Sequence, residues 1–260
     1  MLSNAEYEQL LRNLKRLRLS RVAEVLDTQT KQAIESNISY LDFLNSLIEE
    51  AIAARQSNSL ARRIRLAGFP YLKTLEQFDV SFQPSIDPHK LQDLATLRFI
   101  EEKANLILLG PPGVGKTHVA VGLARKACEV GYRVRFVTLQ GLVEELHAAR
   151  ADNSLPRALR GFVRPALLVI DEMGYLPLRE DQAHGMFEII CRRYEHGSVI
   201  LTSNKNFGDW GSVLGDNVIA SAILDRLLHH STVLNITGSS YRLHEKQAAL
   251  AAEPEPVLAE

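Results

Sequence analysis

A parallel β-sheet covered by helices on both faces, preceded by a small all-helical segment, is the α/β fold that three observations predict. Residues 1–67 carry apolar side chains only at helical spacing. Beyond residue 105, short apolar runs alternate with helical stretches, and those runs lack the in-out alternation of a half-wet sheet. Strands apolar throughout are buried on both faces, as in parallel sheets. The length agrees, since 260 residues make one ordinary domain and an appendage.

Composition narrows the class further. Hydrophobic residues at 46% and charged residues at 23% exclude wholesale disorder and fibrous repeats. Thirty Lys and Arg against 31 Asp and Glu leave a net charge of -1, so any nucleic-acid contact must come from local clusters. The two cysteines, Cys128 and Cys191, both fall in hydrophobic helical patterns and cannot build a disulfide framework or a zinc cluster. That fits a reducing cytoplasm. The opening MLSNAEYEQLL has no basic start followed by an apolar stretch, and no apolar run approaches the roughly 18 residues of a spanning helix. The expectation is a cytoplasmic protein with no membrane partner.

Taken in order, Ser3 and Glu6 form a capping-box pattern, and Leu10, Leu11, Leu14 and Leu17 then recur beside Arg12, Lys15, Arg16, Arg18 and Arg21. This predicts an amphipathic helix with a basic face. A second helix is predicted from Val22 to Ile34, and a third after Ser39, built on Leu41, Leu44, Leu47, Ile48, Ala51 and Ile52 and ending near Gly68 after Arg62, Arg63 and Arg65. Between Gly68 and Pro88, Pro70, Pro84 and Pro88 break helices, yet Phe69, Tyr71, Phe78 and Phe82 are too apolar for a free linker. A strap packed on the next domain is expected. Then come the runs LILL before Gly110, VRFV, ALLVI before Asp171, SVILTS and STVLNI, separated by helical stretches. The division is 1–67, a helical domain; 68–247, the sheet domain; and 248–260, a frayed tail.

The chemistry begins at Gly110-Pro111-Pro112-Gly113-Val114-Gly115-Lys116-Thr117, which matches G-x-x-x-x-G-K-[ST] between an apolar run and a helix. In that context glycines turn backbone N–H groups around phosphate oxygens, and the helix N-terminus adds partial positive charge. Lys116 reaches the β- and γ-phosphates and Thr117 offers its hydroxyl to Mg²⁺. Farther on, ALLVI delivers Asp171 and Glu172 at a strand end. Asp171 would hold Mg²⁺ through water and Glu172 would deprotonate the attacking water. The next strand ends at Asn204, able to contact the γ-phosphate and that water, although asparagine there is also a common turn former. His184, His196, His229 and His230 show no metal-ligand spacing.

The order GPPGVGKT, LLVIDE, TSN and ILDRL resembles the AAA+ ATPases, in particular the subgroup with the DnaC and DnaI helicase loaders and the IstB-type helpers of transposition. Within it the chain looks most like the IstB type, through Ala67-Gly-Phe-Pro70, Lys73-Thr-Leu75, Phe78-Asp79, the phrase Asp171-Glu-Met-Gly-Tyr-Leu-Pro177 and Gly238-Ser-Ser-Tyr241-Arg242-Leu243. The resemblance implies a P-loop AAA+ core with a five-stranded parallel sheet, Asn204 as sensor, Arg226 as an arginine finger on a neighbouring subunit's nucleotide, and Phe78 walling the adenine. His118, next to the motif, joins the expected nucleotide contacts. Only a short stretch follows STVLNI, so the helical lid of larger relatives is expected to be missing or vestigial, with Arg242 as one stand-in for its arginine.

The first 70 residues hold ten basic against eight acidic residues, so clustering at 12–21 and 62–65 is more informative than the sum. Arg12, Lys15, Arg16, Arg18, Arg62, Arg63 and Arg65 are candidate DNA or partner contacts. Arg150, Arg157 and Arg160, with Arg164, lie in the long helical insertion that in the resembled subgroup wedges adjacent subunits and faces DNA. The expectation is an ATP- and Mg²⁺-dependent ATPase that assembles with copies of itself on double-stranded DNA and helps a cognate transposase select or capture target DNA. A replicative helicase loader and a DNA scaffold with negligible hydrolysis are the alternatives.

Overall fold

The computed structural model describes residues 3–175, 177–241 and 243. The chain divides into two compact units, Met1–Arg62 and Arg63–Glu260. The tail expected at 248–260 and Arg242 lie outside the described residues.

The first unit contains α1 (Asn4–Arg16), α2 (Ser20–Glu35) and most of α3 (Tyr40–Ala67). Ser3 starts α1 with a complete capping box: its Oγ accepts the Glu6 N–H, and the Glu6 carboxylate accepts the Ser3 N–H at 2.8 Å. Val22, Leu26, Leu47 and Ala51 form a small core, packed by Leu10, Leu11, Leu14 and Phe43. Arg21 pairs with Glu50 at 2.9 Å, so part of the predicted basic face is neutralised within the unit.

The second unit opens with the expected strap, then α4 (Pro88–Ala95) and α5 (Arg98–Glu101). Pro88 starts a helix here rather than breaking one. It is the first helical residue, where its missing N–H costs nothing, and the Asp87 side chain caps the His89 N–H at 2.9 Å. The alternation follows: β1 (Asn105–Leu109), α6 (Lys116–Val130), β2 (Val134–Thr138), α7 (Leu139–Ala151), α8 (Leu155–Val163), β3 (Leu167–Met173), α9 (Glu180–Arg193), β4 (Ser198–Ser203), α10 (Trp210–Leu214), α11 (Asn217–Leu228) and β5 (Ser231–Asn235).

The five strands lie in the order β2-β3-β4-β1-β5, all pairs parallel. Because β1 sits between β4 and β5, the loop leaving β1 emerges beside the carboxyl end of β4, one strand from that of β3. Crevices at such reversals of strand order are where open α/β sheets bind ligands. Leu106, Ile107, Leu168, Ile170, Ile200 and Leu201 are buried, which explains their unbroken apolar runs.

One buried cation braces the opposite end of the sheet. The Arg193 guanidinium donates to the carbonyls of Phe162, Val163, Pro165, Ala166 and Ser198, at 2.6 to 3.2 Å. Burial pushes its pKa down to about 10, so it stays charged at neutral pH.

Candidate functional site

The loop Gly110–Gly115 leaves β1 and feeds directly into α6, whose first residue is Lys116. Lys116 is buried, and its ammonium donates to the Gly110 and Pro111 carbonyls, each at 2.7 Å. Gly113, at φ +83°, is tightly covered: a Cβ there would stand 2.1 Å from Ser240 Oγ. Behind the covering segment, the Tyr241 N–H donates to the Gly113 carbonyl at 3.0 Å. Among the described residues no helical domain follows β5; the chain turns back over the loop instead.

The carboxylates arrive from the neighbouring strands. Asp171 is buried near the end of β3 and accepts the Thr117 hydroxyl at 3.0 and 3.1 Å. It also accepts the Thr202 hydroxyl from β4 at 2.5 Å. The same Thr202 Oγ1 accepts the Glu172 N–H at 3.0 Å, fixing a residue whose backbone sits at φ +64°. Such a left-handed conformation in a non-glycine residue is strained and held by its surroundings. It turns the Glu172 side chain to the exposed side, where it lines the same cleft as Lys116, Thr117 and Asn204.

That cleft encloses about 970 Å³ of space open to solvent. The strap and the segment after β5 also line it, through Tyr71, Phe78, Gln83 and Tyr241. Phe78 packs against Gly115, where a Cβ would stand 2.6 Å from the ring, and meets His118 edge-on at 5.3 Å. His118 Nε2 lies 2.8 Å from the Thr74 carbonyl, and burial holds its pKa below the ordinary histidine value. Among the described residues, three buried polar side-chain atoms have no hydrogen-bond partner, and two of these, Gln83 Oε1 and Asn204 Oδ1, belong to residues lining this cleft. Orphaned acceptors are costly when buried, and these two lie against different glycines, Asn204 Oδ1 against Gly174 and Gln83 Oε1 against Gly238.

The residues expected around this chain's own nucleotide therefore lie together, and Arg226, expected on a neighbouring subunit's nucleotide, lies apart from them. Arg226 is half-buried on α11, its guanidinium 5.2 Å above the Phe187 ring and its Nη1 donating to the Ala222 carbonyl at 2.9 Å. Asn105 Nδ2 ties the adjacent Leu227 carbonyl to the start of β1 at 3.0 Å. The phosphate loop follows the other end of β1, about 13 Å away at ~3.3 Å per residue. Arg226 does not belong to this chain's own cleft.

The candidate DNA contacts divide by what they touch. Arg12, Lys15, Arg16 and Arg18 are exposed on or just after α1, Arg12 also donating to Gln9 Oε1 at 2.8 Å. Arg62 and Arg65 are exposed, whereas the half-buried Arg63 donates its Nε to the Cys128 carbonyl at 2.7 Å. On the insertion, Arg157 and Arg160 are exposed on α8, and Arg150 lies 3.8 Å from Asp181. Sequence reasoning passed over Thr202, because a threonine before a strand end carries no signal of its own, and Gln83, which lay in the irregular strap. Spacing also concealed that Glu195, His229 and His230 meet at the surface.

Sheet order, phosphate loop and paired strand-end carboxylates together define a P-loop domain of the AAA+ class. AMPPCP-bound DnaA from Aquifex aeolicus is similar in fold, with a TM-score of 0.57 and 17% identity over 72% of this chain and 57% of that one. The DnaI crystal structure gives 0.55 and 21% over 68% and 94%. Within that class the chain belongs to the IstB-like ATP binding protein family, which matches residues 12–249. It is 47% identical to a protein of insertion sequence IS5376 from Geobacillus stearothermophilus, over 89% of this chain and 92% of that protein. A protein of insertion sequence IS21 from Pseudomonas aeruginosa is 46% identical over 91% and 89%.

Proposed function

We propose that this chain is an ATPase that binds double-stranded DNA as a self-assembled oligomer and assists a transposase in selecting or capturing target DNA. The observation that carries the reading is the convergence of Lys116, Thr117, Asp171, Glu172 and Asn204 on one cleft. Membership of a family named for ATP binding and kinship with insertion-sequence proteins supply the context.

The N–H groups of the loop and of the first turn of α6 receive the phosphates, and the Lys116 ammonium exchanges its two loop carbonyls for phosphate oxygens. Phe78 walls the base. Thr117 and Asp171 are the residues to hold Mg²⁺, whose chemistry is to neutralise charge developing on the phosphate oxygens. The Glu172 carboxylate accepts the proton of the water whose oxygen bonds to the γ-phosphorus, while the bond from that phosphorus to the bridging oxygen breaks and ADP leaves. Asn204 Oδ1 orients that water. The distant Arg226 acts on the nucleotide of a neighbouring copy.

Two variants test the assignment. Lys116→Ala removes charge-assisted hydrogen bonds each worth about 1.5–3 kcal/mol, so ATP affinity falls roughly tenfold to a hundredfold. Glu172→Gln retains binding but slows phosphate release by about 10²-fold or more. Wild-type turnover by Glu172→Gln would remove Glu172 from the reaction. Copurification with a hexameric helicase instead of the transposase would move the partner to the loader class.

A further inference from the structure

Two turns at the amino end of the sheet carry a cluster that the nucleotide cleft does not use. Glu195 follows α9 on the way into β4, and His229 and His230 follow α11 on the way into β5. Each offers a ligating atom, and the three atoms lie within 4.8 Å of one another. The two imidazoles stand side by side, ring centroids 4.1 Å apart. The Tyr194 hydroxyl joins them, 2.7 Å from His229 Nδ1.

The three side chains are exposed, but the backbone beneath them is fixed. Because β4 and β5 flank β1, the turns that enter them converge over the first residue of β1, the buried Asn105. Its Oδ1 accepts the Val199 N–H at 2.9 Å, its Nδ2 donates to the Leu227 carbonyl at 3.0 Å, and its N–H donates to the His230 carbonyl at 2.7 Å. The Arg193 carbonyl accepts the N–H groups of His196 and Gly197 at 2.9 and 3.0 Å, winding the other turn so tightly that Glu195 sits at φ +59°. Ligands carried on such rigid supports are already gathered before an ion arrives.

The donor set says which ion. Two imidazoles and a carboxylate suit a first-row transition metal, whereas magnesium and calcium call for oxygen donors. Zinc bonds of about 2.0–2.2 Å in a tetrahedral shell put ligand atoms about 3.3–3.5 Å apart, which exposed side chains at the present spacing reach by small rotations.

We infer that Glu195, His229 and His230 form a zinc site that clips the turn after α9 to the end of α11. The inference goes beyond the nucleotide reading and does not depend on it. Arg226, in the last turn of α11, lines one small crevice with Tyr194 and Glu195, so the clip bears on the segment that carries this arginine.

Calorimetric titration of zinc into the full chain tests this, in excess magnesium, which competes for oxygen donors such as Asp171 and leaves imidazoles to zinc. One zinc is expected to bind per chain, and to raise the melting temperature by about 3 °C or more at a hundred times its dissociation constant. Cobalt(II) in its place is expected to show the visible absorption of a tetrahedral site. Glu195→Gly keeps the left-handed turn and removes the carboxylate, and His230→Ala removes one imidazole. Each is expected to melt as wild type does without zinc, to weaken zinc binding by at least about tenfold and to abolish the tetrahedral cobalt spectrum. His184→Ala, exposed on α9 outside the cluster, is expected to change neither. Zinc affinity undiminished in Glu195→Gly and His230→Ala would mean an adventitious ion only and would overturn the inference. A chain that takes up no zinc, or an octahedral cobalt spectrum, would overturn it equally.

Discussion

Thr202 Oγ1 stands 2.5 Å from Asp171 Oδ1, and the same oxygen accepts the N–H of Glu172 at 3.0 Å. One hydroxyl on β4 thus positions the residue assigned to the metal and the residue assigned to the water. Thr202→Val keeps the shape and deletes the bridge. Phosphate release is expected to fall about tenfold or more, since small misplacements of reacting groups cost that much, while ATP affinity shifts less than about threefold. Thr202→Ser restores the hydroxyl and is expected to recover most of the rate. Steady-state phosphate release alongside equilibrium ATP binding reads both quantities, and a parallel loss in the two would place Thr202 in binding instead.

Arg226 lies at the end of the sheet away from its own phosphate loop, so the arginine-finger role proposed for it requires the nucleotide of a neighbouring copy. Arg226→Ala is expected to reduce turnover by roughly 10³-fold, as loss of an arginine finger does. Mixed with Lys116→Ala protein, which keeps the arginine but cannot hold ATP, it is expected to regain part of the activity. Absence of recovery at every mixing ratio would remove the intersubunit role.

On the proposed function, DNA binding is expected to depend on ATP, to ignore sequence and to weaken steeply with salt, because the exposed Arg12, Lys15 and Arg16 would contact phosphates and not base edges. Reversing these three charges is expected to reduce the slope of log affinity against log salt by about 3. In the second cluster the variants are Arg62→Glu and Arg65→Glu. Arg63 is left intact because its bond to the Cys128 carbonyl makes it a packing residue. Salt titrations on unrelated duplexes check this, and an unchanged slope would send the DNA to the arginines of α8.

Arg193 makes a prediction about stability alone. Arg193→Met removes donors from five carbonyls and is expected to cost about 3 kcal/mol or more. At roughly 2–4 °C per kcal/mol for a domain of this size, the melting temperature falls by about 6–12 °C. Calorimetry measures it, and a shift under about 2 °C would mean that water replaces the guanidinium.

How much of this was legible in the sequence follows from the range of each interaction. Unbroken apolar runs revealed β1, β3 and β4 because both sheet faces are covered, and the Ser3 and Glu6 box revealed the start of α1 because a cap is local. The phosphate loop and the carboxylates of β3 could be read because backbone geometry demands glycines and strand ends at set spacings. Gln83 and Ser239 meet across 156 residues, and no periodicity encodes such a pair. Thr202 likewise acts only through the register that sets β4 beside β3. Arg193 reads as one more cation in the last turn of a helix, since burial by distant carbonyls leaves no trace in local pattern.

The cleft wall joins Tyr71 to Gln83, ahead of the sheet in the chain, to Ser239 and Tyr241 behind it. A ligand seated there acts as a clasp between two ends of one folding unit. Contacts so far apart in sequence close a long loop, which costs chain entropy before it is rewarded. The site is therefore all or nothing during synthesis: a polypeptide that stops short of Tyr241 carries the whole phosphate loop and still lacks a wall. Once closed, the clasp is strengthened by whatever fills it, by about 2.7 kcal/mol when the ligand stands at a hundred times its dissociation constant. Protease attack on the segment after β5 would then track ligand concentration, making the end of the chain a gauge of occupancy.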